Sequence, residues 1–411
     1  MNKDSRVVMF GEVGGRYFST TQDSDIANFV EKCAQAGIQR IVCSYYHHPT
    51  PDFPSYVVHR GRLLRIEGFE YGARSPLARL VRRAHESDLQ VVAFVNVATG
   101  GQWIRADYVA SGEVWPYVRL IGAGEEQEKY WTRTRDGKTW LDIGPRHRLG
   151  ATGYLGLSYP EIRQREQQLL MQFIEFGVDG IQVEFMVSGP PAYATPRPID
   201  CCDDDGIWAY GYDEPAIQAY KQAHGVDPRQ MANSDETWVR FRAAYATQYL
   251  RELRQQVNKV RPGLEVSLLC FSGTFRSSAA GLAVGVDWET WLNEGLVDVI
   301  YSRVPGDRPP LPWRERFTPA RIQAMHDELL AFRTAVGSRA VVCPVIEMPI
   351  FPLIAPGQVT HEEAVRTVED TGRALVAAGA DRMGFWWFDT IETLDVWPAI
   401  RNLRRVMRTG Q

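Results

Sequence analysis

The sequence predicts an α/β fold, a closed (β/α)8 TIM barrel with long insertions after strands 3 and 4. Three observations carry this prediction. Eight short apolar runs of strand length recur along the 411 residues, and segments with helical apolar spacing separate them. No hairpin turn signal stands between consecutive runs, so the strands are expected to run parallel. A doubly wound sheet is the competing arrangement, but the glycine-rich run Gly11-Glu12-Val13-Gly14-Gly15 lacks the G-x-G-x-x-G spacing of its phosphate loop.

The elements follow in order. Arg6 to Phe10 reads as the first strand and Asp25 to Ala36 as a helix stopped by Gly37. Ile41 to Tyr46 is the second strand, followed by His47-His48-Pro49 and a long charged, aromatic loop. Ser75 caps a helix that opens on Pro76 and runs to His85. Val91 to Val95 is the third strand, with Asn96 at its end. Residues 99–159 form an insertion rich in Gly, Trp and Tyr, whose length points to function and whose short strands are expected to wall a cleft. A helix from Pro160 to Phe176 leads to the fourth strand, which stops at Glu184. A second insertion, 186–230, contains a short helix at Glu214 to His224, and a long helix spans Asp235 to Val260. Glu265 to Phe271 is the fifth strand, followed by a short helix at Trp288 to Glu294. Val297 to Tyr301 is the sixth strand, with Arg303 beyond its end. After a helix from Pro319 to Val336, Ala340 to Ile346 is the seventh strand and ends in Glu347. After the helix His361 to Ala378, Arg382 to Phe388 is the eighth, and a final helix ends near Met407. The whole chain, 1–411, is expected to form one catalytic domain.

A net charge of −4 and a pI near 6.1, without a basic run, exclude a polyanion-binding surface, so nucleic acid is not an expected partner. No stretch is apolar for long enough to span a bilayer. The opening Met1 to Arg6 leads into a strand rather than a secretory signal, so a cytoplasmic location is expected. Of the six cysteines, Cys43, Cys270 and Cys343 fall in strands as small buried hydrophobes. Cys201-Cys202, followed by three aspartates, lacks the spacing of a zinc site and reads as a polar loop. No metal or cofactor is expected.

In a parallel barrel the site forms at the carboxyl ends of the strands. That rim collects Glu12, His47, His48, Asn96, Glu184, Arg303, Glu347, Trp386, Trp387 and Asp389. Two carboxylates facing each other across an aromatic-lined cleft suit cleavage of a glycosidic bond. One protonates the leaving oxygen while the other attacks the anomeric carbon or activates water. Glu184 and Glu347 are the expected catalytic pair, since each stands alone at a strand end behind apolar residues. The competing readings are a rim carboxylate bound to a loop arginine for Glu184, and a buried salt-bridge partner or orienting residue for Glu347. Asp389 is the reserve. His47, His48, Asn96, Arg303, Trp386, Trp387 and Asp389 are expected to bind the sugar, the tryptophans by stacking. Asp179 serves the turn before its strand and Asp298 enters strand six from the opposite rim, so neither is expected to be catalytic.

Several segments also resemble one family. Leu157 to Arg163 with Val178 to Glu184, Gly285 to Asp298, and Pro76 to His85 with Val91 to Asn96 are similar, in order and spacing, to segments of the glycosyl-hydrolase-like 10 group of TIM barrels. The resemblance implies a glycoside hydrolase fold, a carbohydrate substrate and an acid at the position of Glu184. The chain departs from the family's pattern there, because Glu184-Phe185 stands where two successive acids are usual. The glutamates on strands four and seven are similar to those of the large retaining-glycosidase clan, although Val183 replaces the asparagine that normally precedes the strand-four acid. Two other readings stay open: a carbohydrate-binding barrel without hydrolysis, and a metal-dependent hydrolase or isomerase using His47, His48 and the rim acids.

Overall fold

The computed structural model describes residues 7–12, 23–44, 55–59, 62–65, 75–104, 117–121, 129–139, 151–185, 210–271, 275, 277–304, 313–348, 359–386 and 388–409. With strands counted along the chain, eight parallel strands close into a barrel. They are β1 (Val7–Glu12), β2 (Arg40–Ser44), β5 (Gln90–Asn96), β9 (Gly180–Glu184), β10 (Glu265–Phe271), β11 (Val299–Val304), β12 (Val341–Glu347) and β13 (Met383–Trp386), the last pairing back onto β1. Around them run α1 (Asp23–Ala36), α2 (Pro76–His85), α3 (Pro160–Glu175), α4 (Glu214–His224), α5 (Glu236–Val260), α6 (Ser278–Ala283), α7 (Trp288–Asn293), α8 (Trp313–Arg316), α9 (Pro319–Val336), α10 (His361–Ala377), α11 (Phe388–Thr393) and α12 (Trp397–Thr409).

Local chemistry sets many of these boundaries. Ser75 Oγ accepts the Ala78 N–H at the start of α2, and Pro76 supplies a preset φ. Asp235 accepts from Thr237 and Trp238 at the start of α5. Gly37 follows α1 at φ +73°, a conformation a side chain would oppose.

Alternation along the strands creates two cores. Ile181 and Val183 of β9 face outward into the layer shared with the helices, together with Leu268, Ile300 and Ile346. Val8, Phe10, Val92, Phe94, Leu269, Tyr301, Val345 and Trp386 fill the barrel interior. At the amino-terminal rim, turn aspartates lock the register of neighbouring strands. Asp179 accepts the Val91 N–H at 2.8 Å, Asp298 that of Val266 at 2.8 Å and Asp381 that of Val342 at 2.9 Å. The same rim is plugged by Glu265, which pairs with both Arg40 and Arg382 (3.1 Å to the latter), while Arg40 also donates to Gln90.

The structure departs from the sequence reading in three places. Residues 45–74 contain a hairpin, β3 (Ser55–His59) with β4 (Arg62–Arg65), which joins strands of the first insertion in an antiparallel sheet of order β4-β3-β7-β6-β8. The other members are β6 (Thr99–Ile104), β7 (Tyr117–Ile121) and β8 (Ala151–Tyr154), the short strands expected of residues 99–159. The sixth barrel strand begins at Val299 rather than Val297, because the Asp298 side chain is engaged with Val266 below the ladder. The strand runs on to Val304, so Arg303 is inside it rather than beyond its end. The eighth strand ends at Trp386, and Phe388 already opens a helix.

Candidate active site

Four polar side chains occupy inward positions at the carboxyl ends of four barrel strands, with β10 between the second and third. They are Asn96 above Phe94 on β5, Glu184 on β9, Arg303 above Tyr301 on β11, and Glu347 above Val345 on β12. Asn96 and Glu184 are register partners. Glu184 is 3% exposed, Arg303 2%, Arg316 5% and Glu347 6%, so this group is withdrawn from bulk solvent.

Arg303 binds both acids. Its Nε donates to Glu347 Oε2 at 3.1 Å and its Nη2 to Glu347 Oε1, a two-pronged contact. Its Nη1 meets Glu184 Oε1 at 3.4 Å. Arg316, on α8, brings a second guanidinium to 3.6 Å from Glu347 Oε2. Beneath them the Arg303 guanidinium lies over the Trp386 ring at 4.6 Å, and that ring is stacked on Phe10 at 5.1 Å and met edge-on by Phe94. The aromatic floor fixes the height of the arginine, and the arginine in turn fixes the separation and orientation of the two carboxylates. Planar geometry suits this role, since a lysine would reach only one acid at a time.

The remaining expected residues divide clearly. The structure brings Asn96, Glu184, Arg303, Glu347 and Trp386 together. Trp386 is 1% exposed and covered by Arg303, which makes it a support for the ion pairs. Asp389 is the second residue of α11, whereas His47, His48 and Trp387 lie outside the described residues, as do Cys201 and Cys202. Sequence reasoning missed Arg316, which sits in the run Arg314-Glu315-Arg316 and looks like a solvated helix face. Among the described residues, no three His, Cys, Asp or Glu side chains are grouped as metal ligands, and no helix is long and apolar enough to cross a membrane. Cys270 lies near Glu184 and Arg303, and burial holds its thiol well above the ordinary range.

A second polar knot lies outside the barrel. Asp213 stands just before α4, yet it does not cap that helix. It turns inward and accepts from Ser158 Oγ at 3.2 Å. Burial pushes its carboxyl up to about 6, opposed by Thr132, Ser158 and Arg242. Burial in turn brings Arg242 down to about 10. The knot ties the 129–139 segment of the first insertion to the second, with Gly211 donating to Thr132 Oγ1 at 3.0 Å and Tyr212 to the Arg133 carbonyl at 3.0 Å.

Comparison with solved structures agrees with the architecture. An endo-1,4-beta-mannanase from Rhizomucor miehei superimposes with a TM-score of 0.53 at 10% identity, covering 98% of this chain and 94% of that one. A noncanonic maltogenic alpha-amylase from Thermotoga neapolitana gives a TM-score of 0.49 at 10% identity, over 100% and 78% of the two chains. At 10% identity the likeness to the mannanase is one of fold. No curated protein matches the chain in sequence. The family model that matches the chain is that of glycosyl hydrolase-like 10, over residues 198–308, a span that contains the Gly285 to Asp298 segment.

Proposed function

We propose that the protein hydrolyses a glycosidic bond, with Glu184 as general acid/base and Glu347 as the second carboxylate. The observation that carries this reading is the placement of both acids on inward positions of the carboxyl rim, held in one geometry by Arg303. Two guanidiniums lie against Glu347, which suits the anionic member of the pair, the nucleophile or base. Glu184 meets Arg303 through one longer contact, which suits the member that must give up and regain a proton. Asn96, beside Glu184, is positioned to bind a sugar hydroxyl, and His47, His48, Trp387 and Asp389 are proposed to complete the carbohydrate site. The chain 1–411 is proposed to act as one catalytic domain, with the sheet built on residues 99–159 and the 186–230 insertion walling the cleft. The fold and family matches support this class of reaction.

The test is Glu184→Gln assayed against a panel of glycosides. The variant is expected to stay folded, at a lower melting temperature because a buried ion-pair partner is lost, and to lose turnover per folded molecule by roughly 100-fold or more. Retained turnover removes Glu184 from the mechanism.

One feature favours a second reading, a carbohydrate-binding barrel without hydrolysis: Arg303 occupies both oxygens of Glu347. That reading is supported by saturable sugar binding in calorimetry with no product after long incubation.

A further inference from the structure

Gln182 is the inward residue two positions before Glu184 on β9, and it is completely buried. Its register partners are Phe94 on β5 and Ser267 on β10. The barrel interior there is built from apolar groups such as Phe94, Leu269, Val345 and Trp386. Neither Oε1 nor Nε2 of Gln182 has a hydrogen-bond partner among the described residues. Ser267 is directed elsewhere, its hydroxyl donating to the Ile181 carbonyl at 3.1 Å.

A carboxamide sealed in an apolar interior with both polar atoms unsatisfied is strongly disfavoured, so this position calls for a partner. Strand geometry indicates where the partner sits. The Cα atoms of residues i and i+2 on one face of a strand are about 6.6 Å apart, so the Gln182 and Glu184 side chains are next neighbours on the barrel interior. Two hydrogen bonds end to end span about 5.6 Å, the separation bridged by one water molecule. We infer that Gln182 is a positioning residue for Glu184, acting through one internal water held between its carboxamide and the Glu184 carboxyl group.

The inference rests on Glu184 being the reacting acid, and it explains why an amide suits this place. Nε2 donates and Oε1 accepts, so a water anchored to Gln182 turns to donate to a carboxylate or to accept from a carboxylic acid. A general acid/base passes through both forms in each cycle. An acid at 182 would add a third negative charge to the throat, and an aliphatic residue would leave the water unanchored.

The substitution Gln182→Met keeps the chain length and removes both polar atoms. Two measurements test the inference. A high-resolution crystal structure of the wild type is expected to show a water within hydrogen-bond distance of both Gln182 and Glu184, and that water is expected to disappear in Gln182→Met. On a glycoside that the wild type cleaves, kcat is expected to fall roughly 10- to 100-fold at little-changed KM, and the limb of the pH profile that reports Glu184 is expected to shift. A dry gap between the two side chains overturns the inference. So does a Gln182→Met enzyme with the wild-type kcat and pH profile. If Glu184→Gln retains turnover, the proposed function falls, while the crystallographic measurement still decides the water site.

Discussion

Arg303 grips Glu347 with two nitrogens and leaves a third to Glu184, so one guanidinium sets the relative position of two acids from β9 and β12. All three groups are buried, and their charges are paired with one another and with Arg316. Removing one member leaves an uncompensated charge in a medium that solvates it poorly.

The first prediction follows from this arrangement. Arg303→Met is expected to destabilise the fold by about 3–5 kcal/mol. Arg303→Lys keeps the charge but not the fork, and is expected to cost roughly 1–3 kcal/mol. Urea denaturation at neutral pH measures both, and equal losses would show that the retained charge contributes nothing without the fork.

The amino-terminal plug offers a control at the other end of the barrel. Glu265→Gln takes away the carboxylate that faces both Arg40 and Arg382. A loss of about 3–5 kcal/mol is expected, with sugar binding or turnover per folded molecule unchanged. A change in kcat without a change in stability contradicts the assignment of this cluster to folding.

Asp213 sets a pH dependence. Its carboxyl is raised from the usual value to about 6, so between roughly pH 4 and 6 the folded state holds a proton that the unfolded state has released. Stability therefore falls as pH rises through that window and is level above it. The contribution is on the order of 2–3 kcal/mol. Asp213→Asn keeps an acceptor for Ser158 and is expected to flatten the slope. Chemical denaturation of both proteins at several pH values from acid to neutral checks the prediction, which fails if the two slopes coincide.

Ala98 marks the root of the first insertion. It holds φ +61°, between Val97, whose N–H donates to the Glu184 carbonyl at 3.0 Å, and Leu155, whose N–H donates to the Ala98 carbonyl at 2.7 Å. The tertiary bonds impose a left-handed conformation that a Cβ opposes. Ala98→Gly relieves the strain but loosens the unfolded chain, and the net gain is expected to be about 0.5 kcal/mol. A melting temperature below that of the wild type would show that the alanine methyl contributes more by packing.

Much of the barrel was legible because helix and strand signals are local. The cap at Ser75, the bounds of α4, α9 and β10, and Glu184 and Glu347 at strand ends all follow from short-range spacing and capping chemistry. The hairpin β3–β4 escaped because its signal, a glycine at position 61 between two short runs, is weak beside the charge of the surrounding loop. The start of β11 escaped because it depends on where the Asp298 side chain bonds.

By itself, the sequence determined an alternating parallel barrel with acids on its carboxyl rim, since periodicity and capping act over a few residues. Only the tertiary structure decided that Arg303 joins those acids, that Trp386 lies beneath it as a floor, and that Gln182 is buried under Glu184. Arg303 lies 119 residues from Glu184 and 44 from Glu347. Barrel closure brings such distant positions together, and no local pattern records which inward side chains will meet.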